Sequence, residues 1–175
     1  QSGLESINFP SSIKSLGIAI MRKCLELKSV TFDERIDSKN FNLRGAFMEC
    51  QGLTSIILPN GLIEIGRNML FKCSNLRSII IPSSVIIIRE NAFFSCLNLT
   101  SVEFEGESQL NSIGQRAFFN CRNLTSIIIP SSCIPKSIFI RSLSILKTRL
   151  SLSLTHVSCA HTLFTETPTG NAIEL

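Results

Sequence analysis

The residues of this chain that could do chemistry are few, and the most regular of them are cysteines. Five recur at intervals of 26, 23, 23 and 25 residues, at Cys24, Cys50, Cys73, Cys96 and Cys121. A thiolate can act as a nucleophile or bind a metal, but none of the seven cysteines has the Cys-x-x-Cys spacing typical of a zinc site. One cysteine per repeat predicts instead a ladder of buried free thiols that serve as small apolar side chains.

Other candidate catalytic groups are scarce. The chain has two aspartates, Asp33 and Asp37, and two histidines, His156 and His161. With Cys159, the histidines could offer three metal ligands, but no neighbour supplies a fourth ligand or an orienting partner. The sequence also lacks a glycine-rich phosphate loop. It therefore predicts no catalytic residue, no metal site and no cofactor. An enzyme with a hydrolase-like site in the C-terminal tail is a third hypothesis, after the two functional hypotheses given below.

The neighbours of each ladder cysteine recur with it. Leucine follows three residues later, serine five later, a β-branched aliphatic residue six later and a large apolar residue eight later. This alternation predicts a short strand with one buried face. Proline follows the strand in four of six copies and ends it, because proline cannot donate to a sheet. Such units must stack into coils, since each buries its apolar face only against its neighbours.

One full copy of the repeat runs from Cys73 to Phe93 and reads CSNLRSIIIPSSVIIIRENAF. It closely resembles the BspA-like subtype of leucine-rich repeat, and the resemblance extends from residue 4 to about residue 132. The resemblance implies an α/β-type repeat solenoid: a right-handed coil with short parallel strands on its concave face, little regular helix and an irregular or 3₁₀ convex side. It also implies a surface or secreted protein of a host-associated microbe, since many family members are surface antigens or adhesins.

The repeat pattern divides the chain into two parts. Residues 1–133 are expected to form a solenoid of about five to six coils, and because the chain begins in mid-repeat it reads as a fragment. The second copy is longer and polar over residues 33–41, which predicts an enlarged outer loop. Residues 134–175 lack the repeat. They are interpreted as a C-terminal cap with a strand at residues 150–154, as an unstructured segment, or as the product of a shifted reading frame.

Charge and hydropathy exclude two classes of partner. The net charge of +4 is split evenly between residues 1–135 and 136–175, with no basic patch interleaved with aromatic residues, so nucleic acid is not an expected ligand. The longest aliphatic runs are about four residues, as at Val85 to Ile88, so no segment is predicted to span a membrane.

The candidate binding residues lie seven places after the cysteines, between two buried positions, so their side chains must point away from the core. This position holds Ile57, Ile80 and Ile128 in three copies and Glu103 in another, and Arg77 lies beside them. An exposed apolar stripe often marks a protein contact. The alternative is that β-branched residues simply suit strands. These five residues are the predicted contacts for a protein or glycan ligand on a host cell or matrix.

Two asparagines match the acceptor pattern for N-glycosylation, in Asn98-Leu-Thr100 and Asn123-Leu-Thr125. Modification would require the secretory route of a eukaryote. The alternative is that asparagine is favoured at a turn because it tolerates unusual backbone angles.

Two functional hypotheses follow. The first is a non-enzymatic recognition module, at the cell surface or secreted, that uses its concave strand face in adhesion. The second is an intracellular, cytoplasmic scaffold or regulator that uses the same face for a protein partner. Unpaired cysteines favour the second hypothesis, whereas the family resemblance and the two Asn-x-Thr sites favour the first.

Overall fold

The computed structural model describes residues 3–130, residue 132 and residues 156–158. The strands in these residues are short, and each returns at the same place in the repeat. They are β1 (Ser6–Phe9), β2 (Ser29–Phe32), β3 (Ser55–Ile56), β4 (Glu64–Ile65), β5 (Ser78–Ile81), β6 (Ile87–Ile88), β7 (Ser101–Phe104), β8 (Ser112–Ile113), β9 (Ser126–Ile128) and β10 (His156–Ser158). Within the described residues no α-helix is present.

Six of these strands form one side of the molecule. Strands β1, β2 and β3 pair in parallel, β5 pairs in parallel with β7, β3 lies against β5 and β7 lies against β9. We call this row the strand strip. Its register joins equivalent positions of successive repeats, as in Ser78 opposite Ser101 and Ile79 opposite Val102. The repeat phase in the sequence is therefore also the hydrogen-bonding register.

A second parallel sheet, formed by β4, β6 and β8, lies on another side of the coils. In it Ile65, Ile88 and Ile113 stand in register. These are the isoleucines that the repeat places three residues after another apolar residue. The sequence did not predict that they belong to strands.

The third side of each coil is a run of consecutive β-turns. Within a coil, the amide of Cys50 donates to the carbonyl of Phe47 at 3.2 Å, and between coils the amide of Phe47 donates to the carbonyl of Met69 at 2.9 Å. The amides are thus satisfied without helix or sheet. We call this side the turn face and define it as residues 16–26, 42–52, 66–75, 90–98 and 115–123.

Together these three sides make a parallel solenoid of about five coils, which confirms the predicted fold class. The core runs along its axis as columns of equivalent side chains. The leucine three places after each cysteine is buried in every copy (Leu27, Leu53, Leu76, Leu99 and Leu124). Phe93 and Phe118 stack with ring centroids 4.9 Å apart and planes 4° from parallel. Identical residues at one position therefore pack face to face along the axis.

The loop of residues 33–41 is polar in sequence but contributes to this core. Ile36 and Phe41 are buried, at 5% and 8% exposure. Ser38 is also buried, and its hydroxyl donates to the carbonyl of Asn60 at 3.0 Å. The longer second repeat thus remains stacked on the third.

At the C-terminal end of the strand strip, β10 pairs antiparallel with β9, with Val157 opposite Ile127. This pairing occupies the backbone edge of β9. The predicted strand at residues 150–154, and Cys159 and His161, lie outside the described residues. The division into a solenoid and a capping tail stays a prediction. Across the described residues, no helix has the length and apolar character needed to cross a bilayer.

Candidate binding surface

The strand strip presents an apolar stripe to solvent. Ile57, Ile80 and Ile128 are 65%, 52% and 50% exposed. Their strand neighbours point inward, since Ile56 and Ile79 are only 5% and 2% exposed. Burial on one face of a strand fixes the other face outward. The structure therefore brings the three isoleucines onto one surface.

Two charged residues belong to the same surface. Glu103 is exposed and stands opposite Ile80 in the register of β5 and β7, so it interrupts the outward column between Ile80 and Ile128. Arg77 is exposed just before β5, and its carbonyl accepts a hydrogen bond from the Thr100 hydroxyl at 3.0 Å. Neither charged group makes an ion pair with any residue between 3 and 130. Both charges are available to a partner.

The outward column is polar in the first two coils. There the hydroxyl of Thr31 donates to the side-chain oxygen of Asn8 at 2.9 Å. These two residues line a shallow, open depression with Asp33, Glu34 and Arg35. The Arg35 amide, at 2.9 Å, and the Arg35 guanidinium hold the pKa of Asp33 below its ordinary value. The strip thus combines a polar end with an apolar middle.

The cysteine ladder lies inside the coil and not on this surface. Among the described residues its five cysteines are free, as predicted; Cys24 is half-buried and the others are buried. Each buried thiol donates to a carbonyl of the preceding coil, from Cys73 to Phe47 at 3.1 Å and from Cys50 to Met21 at 2.9 Å, for example. Burial raises the pKa of Cys50 to about 11. A protonated, buried thiol is a poor nucleophile, so the ladder is structural.

Asn98 and Asn123 are exposed and belong to a hydrogen-bonded row with Asn75. The side-chain amide of Asn98 donates to the side-chain oxygen of Asn75 at 3.2 Å, and that of Asn123 donates to the side-chain oxygen of Asn98 at 3.3 Å. This row links three coils and accounts structurally for asparagine at this position. Glycosylation of Asn98 and Asn123 stays a prediction.

A row of phenylalanines on the turn face was not predicted. Phe71, Phe94 and Phe119 follow one another up the solenoid, with ring centroids 4.9 Å and 5.2 Å apart. They are partly exposed, and Phe119 reaches 42%. The signal in the sequence is a phenylalanine two places before Cys73, Cys96 and Cys121. In the last two copies it directly follows the buried phenylalanine, Phe93 or Phe118.

The family model for the BspA type leucine rich repeat region matches residues 1–43 and 42–164, in six copies. The chain belongs to the BspA-type leucine-rich repeat family. This confirms the resemblance seen in the repeat. No curated protein matches the sequence.

Three solved structures share the fold. The T. pallidum leucine-rich repeat protein is 21% identical, with a TM-score of 0.55, and 86% of each chain is covered. A leucine-rich cell surface protein of Faecalibacterium prausnitzii A2-165 is 22% identical (TM-score 0.54, 70% of this chain). A leucine-rich repeat protein of Bacteroides ovatus ATCC 8483 is 22% identical (TM-score 0.55, 74% of this chain). The chain spans 38% of the length of each of the last two. At this identity the likeness establishes the fold alone.

Repeat families of this type are generally non-catalytic binding scaffolds. Over residues 3–130 the side chains of His, Cys, Asp and Glu form no cluster that could hold a metal ion. The chemistry that the described surface offers is contact, through apolar, amide and charged side chains.

Proposed function

We propose that this BspA-type solenoid is a non-enzymatic recognition module that binds a protein or glycan of a host cell or matrix through its strand strip. The observation that carries the proposal is the exposure of Ile57, Ile80 and Ile128 on one surface. Isolated exposed isoleucines need no explanation, but three at one outward position of a regular sheet, two of them in adjacent coils, are typical of a contact surface.

The arrangement suits recognition in three respects. The backbone beneath the stripe is held by parallel pairing and by core side chains, so little ordering entropy is lost when a ligand binds. Arg77 and Glu103 place opposite charges beside the apolar centre, where they add specificity more than affinity. The polar depression beside Asn8 and Thr31 offers amide and hydroxyl groups to a glycan or a polar peptide.

The proposed setting is the cell surface or the exterior of a microbial cell, in adhesion. The family and the F. prausnitzii cell surface protein support this setting. The second candidate is a cytoplasmic scaffold that uses the same strip, and the free thiols of the cysteine ladder favour it.

Antibody labelling of intact source cells separates the two settings. We expect antibodies raised against the chain to label unpermeabilised cells, and we expect treatment of those cells with a protease to remove the label. A control antibody against a cytoplasmic protein must label only permeabilised cells. If the solenoid is detected only after permeabilisation, the adhesion proposal fails and the scaffold is favoured.

Competition tests the adhesive role itself. Purified chain added in excess is expected to occupy the host sites and lower the adherence of source cells to host cells or matrix in a dose-dependent way, by mass action. The matched control is the same chain unfolded by heat, at equal concentration. Undiminished adherence at saturating concentrations of the folded chain would contradict adhesion through this module.

A further inference from the structure

Positive charge in the solenoid is concentrated on the turn face. Within residues 3–130 this face carries seven lysines and arginines and three acidic residues, whereas the other sides together carry six and eight. All seven cationic residues are exposed (Arg22, Lys23, Arg44, Arg67, Lys72, Arg116 and Arg122). The small net charge of the chain hides this asymmetry, because the strand strip and the loops next to it carry most of the acidic residues.

Internal ion pairing leaves the positive charge of the turn face between residues 22 and 72 largely uncompensated. Arg22 and Lys23 share one carboxylate, that of Glu49, at 3.4 Å and 3.7 Å. Arg44 and Arg67 make no ion pair with any residue of the described range. Uncompensated charge on one face raises the local concentration of oppositely charged partners and speeds their association.

The phenylalanine row lies among these cations. The ammonium group of Lys72 is 5.3 Å from the centroid of the Phe71 ring. Both faces of the Phe94 ring are covered, by Phe71 at 4.9 Å and Phe119 at 5.2 Å, so Phe94 presents its edge to solvent. The edge of an aromatic ring is the positive part of its quadrupole. Apolar contact and attraction for anions are therefore combined in one surface.

This geometry distinguishes between classes of anionic partner. Nucleic acid bases need open ring faces on which to stack. Phe94 has both faces covered, and Phe71 has Phe94 on one face and the Lys72 ammonium over its ring, so successive bases find no series of open rings.

The turn face also exposes apolar side chains outside the middle of the row, since Ile18, Leu25 and Phe119 are 60%, 55% and 42% exposed. An acidic segment with apolar side chains matches both features of the face, because carboxylates can contact ring edges and cations together. Binding to an anionic bilayer is the alternative that the vesicle experiment below separates.

We propose that the turn face is a second docking surface, which binds an acidic polypeptide segment that also carries apolar side chains. Carboxylates of the segment pair with Arg67 and Lys72, and its apolar side chains pack on the row formed by Phe71, Phe94 and Phe119. The surface is separate from the strand strip, so one solenoid can hold two partners at once.

The test uses the full chain and a fluorescein-labelled peptide of repeated Glu-Glu-Leu, with binding followed by fluorescence anisotropy. The variant Arg67→Glu with Lys72→Glu reverses two charges at the row and is expected to weaken binding by at least about tenfold. Affinity of the unmodified chain should fall as ionic strength rises, because exposed charges are screened. Phe119→Ser, which removes the most exposed ring, should also weaken binding.

The matched control is Lys14→Glu with Lys39→Glu. Both lysines are exposed and lie outside the turn face, and the change in net charge is identical. Its affinity is expected to stay within about twofold of that of the unmodified chain. Circular dichroism must show that both variants keep the fold.

Three results would overturn the proposal. The first is absence of peptide binding at low ionic strength. The second is equal weakening by the two double variants, which would make the attraction a property of net charge alone. The third is binding of phosphatidylglycerol vesicles without binding of the peptide, which would make the face a membrane contact. The variant Ile57→Glu with Ile80→Glu should leave peptide binding unchanged, because it alters only the strand strip. Failure of the turn-face proposal would therefore leave recognition through the strand strip unaffected.

Discussion

Ile79→Asp is expected to unfold the middle of the solenoid, with a loss of more than about 4 kcal/mol in the free energy of unfolding. Ile79 is 2% exposed in the centre of β5, and its inward neighbours are apolar. An aspartate there would lose its hydration without gaining a partner, and the contacts of the isoleucine would be lost as well. Urea unfolding followed by circular dichroism measures the loss, and hydrogen exchange should show it first in β5 and β7.

The control for this prediction is the next residue. Ile80 lies in the same strand and is 52% exposed, so Ile80→Asp introduces the same side chain on the solvent side. We expect it to cost no more than about 1 kcal/mol, which is the range of strand propensities. Equal destabilisation by the two variants would show that the assignment of inward and outward positions in β5 is wrong.

The part of the fold that follows from the repeat could be predicted from the sequence. Each coil buries its apolar face only against the next, so equivalent residues must stack and the period sets the register. This is why Ser78 lies opposite Ser101, and why the alternation at Ile79, Ile80 and Ile81 separates buried from exposed side chains. The free thiols follow from the same logic, because one cysteine in each coil serves as a small apolar side chain of the core.

Other features could not be predicted, for physical reasons. The strands of the second sheet are two residues long, too short for an alternating pattern. Hydrophobicity alone assigns Phe94 and Phe119 to the core, whereas the structure places them in a row on the turn face. Polar residues in the loop concealed the buried Ile36 and Phe41.

Backbone conformation was equally hidden. Glu49 and Lys72 adopt φ of 63° and 59°, in the left-handed region that usually favours glycine. Similar φ angles recur at the residue directly before each ladder cysteine. The backbone amide at this position donates to a carbonyl of the next coil, as from Glu49 to Phe71 at 2.7 Å. Pairing between coils thus imposes a conformation that these residue types do not signal.

For the candidate site, the sequence predicted which side chains face outward, because exposure follows from strand alternation. It did not predict the charge of the turn face, because that property depends on which segments of five coils share a side. Arg67 and Lys72 are close in sequence, but Arg22 and Arg122 join them only through stacking.

The second large effect concerns binding through the strand strip. Ile57→Glu with Ile80→Glu replaces the two isoleucines of the stripe that lie in adjacent coils with charged residues. Each isoleucine is more than half exposed, so the fold should survive. Loss of a central anchor in an interface costs about 2 kcal/mol or more, so the affinity for the host ligand should fall by at least about thirtyfold.

The matched control is Ile63→Glu with Ile87→Glu. Ile63 is 39% exposed and Ile87 is partly exposed in β6, and both lie outside the strand strip and the turn face. The substitution adds the same two charges and removes the same two side chains. It separates a local effect at the stripe from a general effect of net charge or stability.

The most direct measurement is therefore binding of the labelled full chain to host cells and matrix, compared between the unmodified protein and these two double variants. We predict that binding is lost in Ile57→Glu with Ile80→Glu and retained in Ile63→Glu with Ile87→Glu, while all three chains show the same circular dichroism. Full binding by the strand-strip variant, or equal loss in both variants, would contradict recognition through this surface.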